Sequence, residues 1–428
     1  MSVPAAIAHV AGRLARVVTA PLDALSPPVR RIVQIEIAVA VTLSAFNSLA
    51  PPFTGLVLRR DLHATPLQLA LTSSAGAALM LPSMWCTRRI HGRSPLAFVV
   101  WPGFVARGLF VLAPFIHSAW PLVGILVAGS LASAIAQPAY TAVAEAVYPR
   151  EERGRALGII RMMGSMLPIG LAPVAGHLVD SLGYRIVFPI AAVLGMGASL
   201  CQRRIGPTPP ADLGRVDPSA LRMLPSLLRE DPAFRTLLVA SSLFGLGVWL
   251  QQPVNPLMWV DVLHASAIQV GVAGAAASVA GLFVSVYWGR VLDRQSSLRT
   301  VRTVYALGML TPLTYLAAFV VRTPWALVLS QANDAVALTG VDMVVIMAMM
   351  DLGRGRGATY QAVYLTVAGV RGIVAPLCAA VAAQSLGIAP VYAVTAALML
   401  AAVWVAARLT AEPRVRERFQ VWGRAGGG

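Results

Sequence analysis

The chain has 428 residues, 57% of them hydrophobic and only 12% charged, with a formal net charge of +16. Soluble domains carry about 25% charged residues, so two or three water-exposed domains are excluded: no stretch supplies their polar surface. Every basic residue is an arginine, and the arginines cluster between apolar runs, which is the pattern of membrane topology and not of nucleic-acid binding.

A hydrocarbon core of about 30 Å takes about 20 apolar residues per helix. Residues 1–30, interrupted by Arg13, Arg16, Pro21 and Asp23, read as a cytoplasmic arm without a cleavable signal. Spans are then predicted at 31–57, 67–87, 95–116, 119–147, 155–180 and 184–203. The segment 204–233, rich in proline and arginine, reads as a cytoplasmic linker. Six more spans follow at 234–260, 268–289, 300–321, 324–350, 358–383 and 388–408, and then a cytoplasmic tail, 409–428. The expected fold is an all-α membrane protein of twelve helices in two pseudo-symmetric six-helix bundles, 31–203 and 234–408. With both termini in the cytoplasm, only Arg59, Arg60, Arg185 and Arg322 fall on the opposite side, while Arg107, Arg161 and Arg371 fall inside spans; all other arginines face the cytoplasm. A bacterial cytoplasmic (inner) membrane is the expected location. Cys86, Cys201 and Cys378 are scattered in apolar stretches with no metal spacing.

The two halves repeat. Leu62-His63-Ala64-Thr65-Pro66-Leu67-Gln68-Leu69 returns 201 positions later as Leu263-His264-Ala265-Ser266-Ala267-Ile268-Gln269-Val270. Thr65 with Gln68, and Ser266 with Gln269, have capping-box spacing. Asn47, Ser48 and Pro52 match Gln251, Gln252 and Pro256; Gly154 and Pro173 match Gly357 and Pro376. Internal repeats of this kind mark secondary transporters, with the site between the halves near the midplane.

Several passages resemble the major facilitator superfamily over about 31–408. Gly289-Arg290-Val291-Leu292-Asp293-Arg294 resembles that family's G-x-x-x-D-R loop, Tyr148 to Ala156 its entry to the fifth helix, and Gly170 to Gly176 with Gly183-Tyr184-Arg185 its passage from fifth to sixth helix. The resemblance implies a rocking, alternating-access fold and a charge-pairing role for Asp293 and Arg294 that steadies the outward-open state. In the first-half copy of that loop Gly92 stands where Asp293 stands in the second. Pro173 and Gly176 lie in a passage similar to the antiporter signature of exporters, with Ala172 and His177 at two of its glycine positions; Val127 lies near where such exporters carry a fourth-helix arginine.

The resemblance implies a cavity lined by the first and fourth helix of each half. Polar residues share a face on each: Ser44, Asn47 and Ser48; Gln137, Tyr140 and Thr141; Gln251, Gln252 and Asn255; Gln331, Asp334 and Asp342. They either line a solvated cavity or bond helices together. Asp334 and Arg371 lie at similar depth, so a pair is expected, either a proton-linked switch or a static bridge. Asp342 and Glu36 are alternative proton sites, Glu145 with Arg161 a candidate gate pair, and Arg107 either draws an anion or bonds a backbone carbonyl. The six histidines are dispersed, which argues against a membrane enzyme, and no G-x-x-x-x-G-K-[ST] loop is present, so the energy source is a gradient or a partner. The expected function is proton-coupled export of a small, partly apolar compound. Uptake of a nutrient or organic anion is the runner-up, and a non-transporting sensor or scaffold a third class. A small solute, a proton or other ion and the lipid bilayer are the expected partners of a monomer without metal or cofactor.

Overall fold

The computed structural model describes residues 22, 25–78, 92–209, 224–353 and 357–409. Most of the predicted arm, residues 79–91 (the far half of the second span with Cys86, Arg88 and Arg89), the linker centre 210–223, Arg354 and Arg356, and the tail from 410 lie outside them.

In chain order the helices are α1 (Pro27–Leu49, continued by a 3-10 turn Pro51–Phe53 and helical Thr54–Arg60), α2 (Pro66–Ala78) and α3 (Pro95–Gly108, tightening to 3-10 over Leu109–Phe115). Then come α4 (Ala119–Val147), α5 (Arg150–Leu182) and α6 (Tyr184–Gln202). The second half has α7 (Pro232–Gln251, continued by Asn255–Leu257 and a π turn Met258–Val262), α8 (Ala267–Arg294), α9 (Ser297–Val321), α10 (Ala326–Gly353), α11 (Gly357–Leu386) and α12 (Ile388–Leu409). Eleven of these are long and apolar enough to cross a bilayer; α2 is described over 13 residues. No strand occurs among the described residues.

Two helices start earlier than hydropathy suggests. α1 begins at Pro27, because proline at the first helical positions gives up no hydrogen bond. α5 begins at Arg150, where Glu151 and Glu152 sit at the positive end of the helix dipole. The predicted linker also holds a short helix, Leu224–Glu230, and Asp231 caps α7 by accepting from the Phe234 N–H at 3.0 Å.

The repeat extends to backbone geometry. Prolines, which lack the N–H that a helix interior uses, interrupt α1 at Pro51–Pro52 and α7 around Pro253 and Pro256. Each helix then wraps its last turn alike: Leu62 N–H to Val57 O (3.0 Å) and Ala64 N–H to Leu58 O (2.8 Å), against Leu263 N–H to Met258 O (3.0 Å) and Ala265 N–H to Trp259 O (2.8 Å). His63 and His264 adopt left-handed φ values of 51° and 48° at these turns. Both capping boxes form: Gln68 accepts from the Thr65 N–H at 2.8 Å and Gln269 from the Ser266 N–H at 2.9 Å.

Within the first half α1 packs on α5 and α6, and α3 on α4 and α6; in the second, α7 packs on α11 and α12, and α10 on α8 and α9. The halves meet chiefly where α5 crosses α8 and α2 crosses α11. Exposed aromatics form two belts on the outer surface, Trp101, Tyr287 and Trp404 toward one end and Phe115, Trp120 and Trp325 toward the other, as headgroup anchors require. The first belt lies at the end where α1 and α7 start and α6 and α12 finish, here called the terminal end; the second lies at the loop end, with the short turns 61–65, 263–266 and 322–325.

The buried apolar clusters differ between the ends. One cluster, including Phe53, Leu56, Phe188, Met258 and Tyr392, joins both halves around the loop end. The clusters reaching the terminal end each stay in one half: Phe234, Tyr305 and Val344 in the second, and Val33 with Ile160 or Val100 with Val143 in the first. Among the described residues the halves are therefore sealed at the loop end and separated at the terminal end.

Candidate functional site

Polar contacts reinforce the loop-end seal. Arg59 grips Asp261 of the other half with Nε at 2.9 and 3.0 Å and Nη2 at 2.8 Å. Asp180, near the end of α5, accepts from the backbone N–H groups of Ala267 (3.0 Å) and Ile268 (2.9 Å), so a carboxylate of one half sits on the positive end of α8 in the other. Arg60 holds the same carboxylate at 2.9 Å. Backbones approach closely beside these contacts. A Cβ on Gly176 would press into the Ala267 carbonyl, one on Gly271 into the Ala172 carbonyl, and one on Gly55 would come within 2.7 Å of the Pro256 ring. Pro173 and Gly176 thus lie in the seal. Arg59, Asp180 and Asp261 were not anticipated. The available signal was the rarity of charge on the arginine-poor side.

Between α1, α2, α3 and α4 lies a cavity of about 740 Å³, with Leu365 of α11 on one wall. Leu43, Phe46, Phe110, Ile125 and Leu126 make it largely apolar, and Asn47, Gln137, Ser130, Ser133 and Arg107 are its polar groups. Of the seven expected cavity residues, Asn47 and Gln137 line this space. Gln252 and Gln331 are half-buried outside its lining. Tyr140, Gln251 and Asn255 are drawn away by hydrogen bonds within their own halves, so the expected lining shared by four helices does not describe this cavity.

Two buried polar groups account for that displacement. In the first half Tyr140 donates to Glu36 Oε2 at 3.0 Å, and Glu36 is 4% exposed. In the second half Asn333 donates to Thr311 Oγ1 (2.9 Å), and Gln251 Nε2 reaches Asp334 Oδ1 at 3.5 Å. Next to it Tyr392 donates to Asn255 Oδ1 at 2.8 Å and stacks on Tyr315, which accepts from Trp259 at 3.4 Å.

The expected pair of Asp334 and Arg371 is not formed. Arg371 enters a slot that Gly245 leaves open on α7, donates to the Ser241 carbonyl, and lies 5.4 Å over the Tyr364 ring, with Nη2 3.4 Å from its hydroxyl. Asp334 receives the neutral Gln251 amide instead. Nor do Glu145 and Arg161 pair: both are exposed, and Arg153 takes the Glu145 backbone carbonyl at 3.1 Å. Asp342, Asp293 and Arg294 are exposed and form no ion pair among the described residues, at an end where the halves stand apart. Arg107 makes the backbone-carbonyl bond that was one of its two readings. Its Nη1 donates to Ser199 Oγ at 2.6 Å and to the Gly195 carbonyl at 3.4 Å, and it lines the cavity.

The family model of the Major Facilitator Superfamily matches residues 37–352 and 237–424. The chain belongs to this superfamily. Among curated proteins none matches it at the sequence level. Solved structures share its fold. The nucleoside transporter NupG, as a point mutant, is 11% identical with a TM-score of 0.68, covering 88% of this chain and 99% of its own. A bacterial homolog to the human lysosomal transporter Spinster is similar in two inward-facing states. Unoccupied, it is 15% identical with a TM-score of 0.60; occupied, 17% and 0.59; each covers 90% of this chain and 96% of its own. This superfamily member is a multi-pass membrane protein of a transporter family, whose members bind small molecules and are not enzymes.

Proposed function

We propose that the chain is a secondary active transporter, working as a monomer by alternating access, that exports a small, partly apolar solute in exchange for protons. The observation that supports this most is the uneven closure: halves sealed at the loop end, parted at the terminal end, with a largely apolar cavity beside the interface. The arginine distribution supports a cytoplasmic terminal end; this state would then face inward, in what we take to be a bacterial inner membrane. Asp334 is the preferred proton carrier. Its hydrogen-bond partner Gln251 is neutral and it has no ion pair among the described residues; an intramembrane carboxylate of that kind is costly unless it takes up a proton. Glu36 with Tyr140 is the second candidate and the exposed Asp342 the third.

Rocking would break the seal at Pro173, Gly176 and the Arg59–Asp261 pair. On that change of state Glu145, Arg161, Asp293 and Arg294 would close the terminal end. The direction rests on the exporter-like passage Gly170 to Gly176. Arg107 in the cavity favours a second reading, proton-linked uptake of a nutrient or organic anion.

The test is accumulation of a panel of labelled small molecules in cells expressing the wild type or Asp334→Asn, with and without a protonophore. Lower accumulation of some compound with the wild type, erased by both treatments, is expected. Higher accumulation would replace export by uptake. A difference that survives Asp334→Asn would move proton coupling to another carboxylate.

A further inference from the structure

We propose that the solute is an amphipathic organic anion, its oxyanion docked on Arg107 in the cavity of the first half and its apolar body laid against Phe46, Phe110 and Leu126. This rests on the reading of the protein as a transporter and names the class of compound its cavity takes.

Among the described residues Arg107 is the only charged one on the cavity wall, and no carboxylate of theirs lines it. It lies twelve residues into α3 from Pro95, or about 18 Å at 1.5 Å per residue, close to mid-membrane. A charge at that depth is expensive unless compensated. Its protein partners do not compensate it: Ser199 Oγ and the Gly195 carbonyl are both neutral, and both engage Nη1. Nη2 and Nε make no hydrogen bond among the described residues, which leaves part of the guanidinium fork for a ligand. A planar fork suits an oxyanion, with two parallel N–H···O bonds.

The side chain is also held in place. Gly195 makes room for its stem, since a Cβ there would come within 2.9 Å of Arg107 Cδ, and Gly103 leaves space beside the head. An arginine packed in this way cannot snorkel to the headgroups. Asn47 and Gln137 supply neutral polar groups on other walls, able to orient a ligand without changing the preference of the site for negative charge. Among the described residues a cationic solute would meet one like charge and no counter-charge.

The test measures binding by titration calorimetry on the purified full-length protein, using naphthalene-2-carboxylate, naphthalene-2-carboxamide and 2-naphthylmethylamine at neutral pH. The carboxylate is expected to bind at least about tenfold more tightly than the amide, and the amine least well. Arg107→Gln is expected to abolish the difference between carboxylate and amide, while Arg107→Lys keeps the charge and retains part of it. Ser130→Asp leaves Arg107 and its α6 partners in place and supplies a counter-charge from the cavity wall; it should remove the preference even if Arg107→Gln folds poorly. Equal binding of carboxylate and amide, no binding of the carboxylate at millimolar concentration, or a preference that survives both Arg107→Gln and Ser130→Asp overturns the proposal. Flux of the same probes in proteoliposomes separates the two readings. Binding preference without flux sinks the transporter reading alone, and flux without charge preference sinks this one alone.

Discussion

Asp180 accepts two backbone hydrogen bonds from the start of α8 and forms an ion pair with Arg60. Arg59 and Asp261, 202 positions apart, form a second ion pair, across the halves. Each group of that pair is about 30% exposed, so the bridge contributes on the order of 1 kcal/mol after screening. That is enough to shift a two-state ratio about fivefold. Arg59→Asp is expected to increase loop-end opening, read as labelling by an impermeant maleimide of a cysteine placed at Ala64; Arg59→Asp with Asp261→Arg should restore protection. If the double variant labels as fast as the single, the pair does not hold the seal. His63 and His264 pay a left-handed backbone cost of about 1–2 kcal/mol in non-glycine residues. His264→Gly should therefore raise the apparent unfolding temperature slightly, less than the full cost because glycine is freer when unfolded. In the first half Tyr140→Phe removes a donor from the buried Glu36, and a loss of about 1–3 kcal/mol of stability is expected. Glu36→Gln beside it should make the two effects non-additive in a double-mutant cycle.

At the scale of elements, the crossing of α5 with α8 decides what the halves can do. Gly176 and Gly271 bring the two backbones together, each facing main-chain atoms of the other helix, which cannot move aside as a flexible side chain would. Small residues at helix crossings in membranes serve this close approach. Gly176→Val should force α5 and α8 apart, open the loop end far more than loss of the Arg59 bridge, and reduce transport. Normal transport with a protected Ala64 cysteine would show that the crossing tolerates bulk and is not the pivot. The repeat made Pro173 visible, and the resemblance to the exporter passage made Pro173 and Gly176 visible as special points of the fifth span. The glycine at 271 drew no notice, since its reason is a carbonyl in another half. Capping boxes, by contrast, are local: Thr65 with Gln68 and Ser266 with Gln269 were read from three-residue spacing, and the hydrogen bonds follow that spacing.

For the whole molecule, the uneven closure predicts sided access. A cysteine at Ser133, exposed on the cavity wall, should react with an impermeant reagent from the terminal side and resist it from the loop side. Equal labelling from both sides would contradict a sealed loop end. The sequence by itself determined the membrane class, the two halves, the repeat and the sidedness of arginine. These depend on hydropathy and on patterns within one helix or turn, which the bilayer enforces residue by residue. It did not determine which polar side chains share a space. Polar stripes on the first and fourth helices of each half looked equivalent, yet Asn47 and Gln137 face the cavity while Gln251 and Asn255 are bound to Asp334 and Tyr392. Likewise depth along two helices suggested Asp334 with Arg371, but Gly245 opens a slot on α7 that takes the arginine elsewhere. Depth follows from counting residues; azimuth and partner follow from how helices pack, and only the tertiary structure decided those.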